Sequence, residues 1–192
     1  GGCRERVWKP GAGGRDGAGG LVRGIKLVPA PPGTPQRLGW RHIEMPDEAY
    51  AELSQRFVLV FTGQRRMARN ILREIMGKAV AGEPETMAVL AQIQRLAVLM
   101  ACELETGDID QFGRLLREHW QLSKRLDAGS SNTCIDHIVS GCDDVGEGMM
   151  ICGAGGGGFM SMSLKRGVPK EALAARMSDG VQESGVAGWD AA

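Results

Sequence analysis

One short stretch constrains this chain more than any other. Between positions 153 and 158, five of six residues are glycine: Gly153, Ala154, Gly155, Gly156, Gly157 and Gly158. Apolar residues flank the run on both sides. Met149-Met150-Ile151-Cys152 precedes it, and residues 159–164 alternate large and small side chains after it. A glycine inside a helix or strand costs about 0.5–1 kcal/mol relative to alanine, so such a run is a loop. Glycine also permits positive φ and lets backbone amides approach a ligand or another backbone closely. Successive amides then form a concave, partly positive nest suited to phosphate oxygens. A plain hairpin turn uses one or two glycines. Five in six therefore predict a loop with a role beyond turning. Two common phosphate motifs do not fit it. The sequence has no GxxxxGK[ST]. A GxGxxG can be traced at Gly153, Gly155 and Gly158, but a strand follows it where a dinucleotide-binding βαβ unit needs a helix.

The rest of the chain reads as strands and grouped helices. Residues 21–27 and 36–45 read as strands and 47–55 as a helix after Pro46. Residues 57–62 are continuously apolar and β-branched or aromatic, which predicts a short buried strand ended by Gly63. A helix over 65–80 carries Ala68, Ile71, Leu72, Ile75 and Met76 at helical spacing. The next helix starts at Pro84, with Val89, Leu90, Ile93, Leu96, Ala97, Met100 and Leu104 as its stripe. Gly107 reads as its stop and Asp108 as the cap of a third helix bearing Ile109, Phe112, Leu115, Leu116, Trp120 and Leu126. Ser131 reads as the cap of a short fourth helix, and 169–178 and 186–189 as a last helix and a closing strand. Helices grouped between strands, without regular alternation, predict an α+β fold: a small antiparallel sheet packed by several helices.

Charge and composition narrow the function classes. The 192 residues hold 23 basic and 23 acidic side chains, so no nucleic-acid partner or anionic membrane is expected. No apolar run approaches the roughly 18 residues that would span a bilayer. Residues 1–20 are glycine-rich, lack the apolar core of a signal peptide and read as irregular chain. The five cysteines form no CxxC pair and predict reduced, mostly buried thiols in a cytoplasmic protein. His42, His119 and His137 are scattered, so no metal site is expected of them. A start without Met predicts a fragment of something longer.

Four segments in order carry a family resemblance. Gly153-Ala154-Gly155-Gly156-Gly157-Gly158-Phe159 resembles the third conserved motif of the GHMP kinases. Thr62-Gly63-Gln64-Arg65-Arg66-Met67-Ala68 resembles the TGxxRxA segment of fucokinases and related sugar kinases. Trp120 to Asp127 with Ser131 to Asp136, and Gly19 to Leu27 with Pro32 to Leu38, are similar to the same branch. The resemblance implies a GHMP C-terminal domain over 56–192, a remnant of the N-terminal lobe over 21–55, and the Gly-rich segment 1–20 before it.

The resemblance also implies an activity. GHMP kinases transfer the γ-phosphoryl group of ATP, with Mg²⁺, to a hydroxyl of a small molecule. Here that is an L-fucose-type sugar phosphorylated at its anomeric hydroxyl. The glycines 153 and 155–158, with Ala154, would shape the nucleotide site, and Thr62, Gly63, Arg66 and Asn132 would face the substrate. Asn132 also reads as a helix cap and Arg66 as a solvated helix arginine. The branch's GGWQDQxGG segment is disturbed here. Asp16 keeps the acid's type and spacing before Gly19-Gly20, while a second alignment puts Glu5 in its place. The family's PxGxGSS-type phosphate loop, which carries the neighbourhood of the Mg²⁺ ligands, does not occur in these residues. The N-terminal kinase lobe is thus the expected partner, and the isolated chain is expected to transfer little phosphate. A heptose 7-phosphate kinase-like enzyme and a non-catalytic remnant or binding module are the alternatives.

Overall fold

The computed structural model describes residues 6–7, 23–29, 37–64, 69–153 and 155–184. Two small ribbons come first. In one, β1 (Arg6–Val7) pairs antiparallel with β3 (Arg37–Leu38), so part of the Gly-rich start is strand and not irregular throughout. In the other, β2 (Lys26–Leu27) pairs with β4 (Arg41–His42). The expected strand over 36–45 is therefore two short strands separated at Gly39-Trp40. There follow α1 (Asp47–Arg56), β5 (Phe57–Phe61), α2 (Arg69–Val80), α3 (Pro84–Thr106) and α4 (Ile109–Leu126). A 3-10 turn (Ala128–Ser130), α5 (Thr133–Gly141), β6 (Gly146–Ile151), β7 (Phe159–Leu164) and α6 (Lys170–Ser184) complete the described order. The architecture is α+β, as the sequence predicts. The expected closing strand at 186–189 lies outside the described residues.

The main sheet is antiparallel in the order β5-β7-β6. Phe57 stands opposite Ser163 and Phe61 opposite Phe159, while Ile151 stands opposite Met160 on the other side. Position in the sheet explains burial. In central β7, Met160, Ser161, Met162, Ser163 and Leu164 are all buried. Strand β5, expected to be buried throughout, is an edge strand among the described residues. Val60 faces the core and Leu59 is 60% exposed. A short apolar run does not by itself distinguish these two environments.

Helix α4 organises the packing. Gly107 ends α3 in the left-handed conformation (φ 86°), and the Asp108 carboxylate accepts the Gln111 amide at 2.8 Å to start α4. Ile109, Phe112, Leu115, Leu116, Trp120 and Leu126 are all buried, as their spacing predicts. At Gly113 the helix lies directly on β6. A Cβ on Gly148 would sit 1.7 Å from the Gly113 carbonyl oxygen. Helix α3 packs Val89, Leu96 and Leu104 inward, but Val98 and Leu99 remain exposed. It is also long and apolar enough to cross a membrane by length and composition alone, which the count of continuous apolar residues did not show. On α2, Ile71 is buried while Leu72 and Met76 are exposed, so its predicted stripe is only partly used. The thiols depart from expectation too. Cys142 is buried in the main core, whereas Cys102 and Cys152 are exposed.

A charge network closes the sheet end distant from the glycine loop. Arg56 is buried, and its Nε donates to the Leu164 carbonyl at 2.8 Å. Its other nitrogens pair with Glu52 and Asp110, both at 2.5 Å. Arg166 joins the same two carboxylates at 3.1 and 3.3 Å. Burial pushes the Asp110 carboxyl upward, but the hydrogen bond and charge of Arg56, with Arg166 behind them, outweigh it and hold the group below its ordinary value. The folded state therefore gains stability from Asp110 above the unfolded carboxylate range, roughly pH 4, and loses it as pH falls through the depressed folded value. Asp110→Asn is expected to lower Tm at neutral pH and to flatten its decline in acid. Thermal unfolding followed by circular dichroism from about pH 7 to 2.5 checks this, and parallel acid limbs for the two proteins would contradict it.

Candidate functional site

The glycine loop joins β6 to β7, and every described glycine in it has positive φ: 87° at Gly153, 98° at Gly155, 78° at Gly156, 150° at Gly157 and 89° at Gly158. Such a path excludes ordinary L-residues by backbone sterics. Close contacts add a second reason at two positions. A Cβ on Gly155 would lie 2.7 Å from both Cα and O of Ser130, and one on Gly157 would lie 3.0 Å from the Gln64 carbonyl oxygen.

Two other segments hold this loop. The first is the chain leaving β5. Thr62 is buried, and its backbone N–H and its hydroxyl both donate to the Gly158 carbonyl at 2.9 Å. The Gly158 amide donates to the Gln64 carbonyl at 2.9 Å. Gly63 turns between them with φ 73°. The second is the passage from α4 to α5. Asp127 accepts the Gly129 amide at 2.6 Å and fixes the 3-10 turn. The Ser130 carbonyl at the end of that turn accepts the Gly156 amide at 2.6 Å.

Asn132 links the two supports. Its Oδ1 accepts the Ile135 amide at 3.1 Å, which makes it the N-cap of α5. Its Nδ2 donates to Gln64 Oε1 at 2.9 Å and to the Gly156 carbonyl at 3.2 Å. Ser131, the expected cap, instead donates its hydroxyl to Asp136 at 2.7 Å. The cap belongs one residue later, where the side-chain oxygen meets a first-turn backbone amide and not a first-turn side chain.

The structure thus brings together Thr62, Gly63, Asn132, Gly153 and Gly155 to Gly158 at one end of the sheet. Ala154, Arg66, Asp16 and the alternative acid Glu5 lie outside the described residues. Gln64 and Ser130 belong to the same cluster but were not singled out from the sequence. Both lie in or beside the quoted segments, yet their contacts to the loop use backbone atoms that side-chain chemistry does not announce. The amides of Gly156 and Gly158 are engaged within the fold, whereas those of Gly155 and Gly157 make no hydrogen bond to another described residue. Phe61 and Phe159 pack across the strands beside the loop with ring centroids 5.3 Å apart, and Phe159 is half exposed.

Some known proteins are similar to this chain in sequence and others in fold. A bifunctional fucokinase/GDP-fucose pyrophosphorylase from Arabidopsis thaliana is 30% identical over 180 residues, 91% of this chain. An L-fucokinase/L-fucose-1-P guanylyltransferase from Bacteroides fragilis is 29% identical over 165 residues, 84% of the chain. The chain resembles the C-terminal region of a GHMP kinase of the fucokinase kind. It spans only 17% of the length of each of these two relatives. No family model matches the sequence. Among solved structures, L. major mevalonate kinase in complex with R-mevalonate superposes with a TM-score of 0.62 at 16% identity, covering 87% of this chain and 51% of that one. The mevalonate kinase of Methanococcus jannaschii gives 0.55 at 22% identity over 73% of this chain and 41% of its own. These likenesses establish the fold of the fucokinase-like chain.

The loop geometry sets a graded expectation. Gly155→Ala meets both an unfavourable φ and the Ser130 backbone, and is expected to cost about 2 kcal/mol or more. Gly153→Ala has the same φ penalty but open space around its Cβ, and about 1 kcal/mol is expected. Urea unfolding of both variants measures the difference, and equal losses would contradict the contact.

Proposed function

We propose that this chain supplies the C-terminal lobe of an ATP-dependent sugar kinase that phosphorylates the anomeric hydroxyl of an L-fucose-type sugar. The observation that carries the reading is the convergence of the TGxxR-type segment at Thr62 with the glycine loop, in a chain about 30% identical to a bifunctional fucokinase. Phosphoryl transfer depends chiefly on alignment and charge stabilisation, so a pre-shaped wall is a useful contribution from one lobe. The Gly155 and Gly157 amides, which bond to no other described residue, suit an anionic group such as an ATP phosphate. Residues Thr62 and Asn132 hold that wall, and Asp16 is the candidate group to accept the sugar hydroxyl proton.

Mg²⁺ would accompany ATP. Among the described residues no group of three or more His, Cys, Asp or Glu side chains comes together to hold it. In this reading its ligands belong with the partner lobe, which would supply charge stabilisation of the transferred phosphoryl group. The PxGxGSS-type loop belongs with the partner lobe in this reading, so the 192 residues alone would show little turnover.

The test is isothermal titration and a coupled ADP assay on a protein carrying this chain together with an N-terminal kinase lobe. Binding of L-fucose and ATP with formation of a sugar 1-phosphate is expected. Turnover only with a heptose 7-phosphate would shift the substrate class. Silence toward both sugars and ATP would favour a non-catalytic module. In the active protein Asp16→Asn is expected to lower kcat about a hundredfold or more, the range of general base removal.

A further inference from the structure

Asn132 and Gln64 lie within segments that resemble those of the sugar kinases, and their side chains meet at 2.9 Å. Their contacts are unusual in reach. Asn132 begins α5, Gln64 follows β5, and Gly156 lies in the loop between β6 and β7. One carboxamide therefore ties three segments that are 24 and 68 residues apart in sequence. Both Nδ2 hydrogens have acceptors, and Oδ1 holds the Ile135 amide. That leaves Asn132 little capacity to bind a substrate directly.

We propose that Asn132 and Gln64 are positioning residues whose paired carboxamides lock the glycine loop to the segment leaving β5. The proposal rests on the kinase reading for its catalytic consequence, but its geometry stands without it. Gln64 acts twice. Its side chain accepts from Asn132, and its carbonyl accepts the Gly158 amide while closing off the space where a Gly157 side chain would be. Asn132 also acts twice, capping α5 and fixing the Gly156 carbonyl. The segment expected to face the sugar and the loop expected to face the nucleotide consequently move as one unit. Alignment of two reactants depends on that kind of coupling.

The capping and positioning roles can be separated by substitution. Aspartate and serine are N-caps about as good as asparagine, so Asn132→Asp and Asn132→Ser keep α5 started. Neither retains the amide donor to Gln64 Oε1 and the Gly156 carbonyl, and aspartate places a carboxylate against two oxygens. In the two-lobed protein, Asn132→Asp is expected to lower kcat about tenfold or more with a smaller change in either KM, because a misaligned loop still binds. Gln64→Leu should fall with it, and Gln64→Glu, which keeps an oxygen acceptor, should recover most of the loss. Wild-type kcat and KM in Asn132→Asp would overturn the proposal and leave only a cap. If the two-lobed protein phosphorylates no sugar, the kinase reading fails and the carboxamide lock is decided on the 192-residue chain itself. There, faster amide hydrogen exchange at Gly156 and Gly158 in Asn132→Asp would support it, and unchanged exchange would overturn it.

Discussion

Helix α4 meets β6 backbone to backbone at Gly113 and Gly148, and much of the remaining structure takes its position from that crossing. The Gly148 Cα faces the Gly113 carbonyl so closely that a methyl group would overlap the oxygen. Glycine on both partners permits this approach, and interiors packed like crystals do not absorb such overlap without moving a helix. Arg117, one turn on, fixes the same crossing with hydrogen bonds from Nε to the Glu147 carbonyl at 3.0 Å and from the other end of the guanidinium to the Gly146 carbonyl at 2.9 Å. With its crossing fixed, α4 carries Trp120 into the main core and ends at the turn whose Ser130 carbonyl meets the glycine loop. A looser crossing would lift Ser130, Asn132 and α5 away from that loop together.

The two ends of the sheet are held by different physics. At one end, Arg56 and Arg166 share the carboxylates of Glu52 and Asp110. A half-buried network of this kind stabilises the fold only while every member is paired, since an orphaned buried charge is costly. At the other end no ion pair holds the loop among the described residues. Backbone amides, a threonine hydroxyl and one carboxamide do so instead. Among the described residues no carboxylate is bound to the loop itself.

How much of this could be read from sequence depended on whether side chains or backbone made the contact. The core of α4 was legible because Ile109, Phe112, Leu116 and Trp120 recur at helical spacing and all turn inward. The start and stop at Asp108 and Gly107 were legible for the same reason, each being a residue type with one favoured local geometry. Leu59 and Met76 were misplaced because apolar residues at an edge strand or on a one-sided helix have the same local pattern as buried ones, and only the neighbouring elements decide. In the site, the glycine run and Asn132 were visible as residue types. The contributions of Gln64 and Ser130 were not, since their carbonyls bind the loop and any residue has a carbonyl.

This division changes what the glycine loop is. A nest built for a free anion would leave its successive amides pointing to one side, free of partners. Here alternate amides point the other way, Gly156 toward Ser130 and Gly158 toward Gln64, while those of Gly155 and Gly157 bond to no other described residue. Glycine at 155 and 157 is demanded by contact with neighbouring backbone as well as by φ. The loop is therefore first a joint that seats β6 and β7 on the β5 and α5 segments.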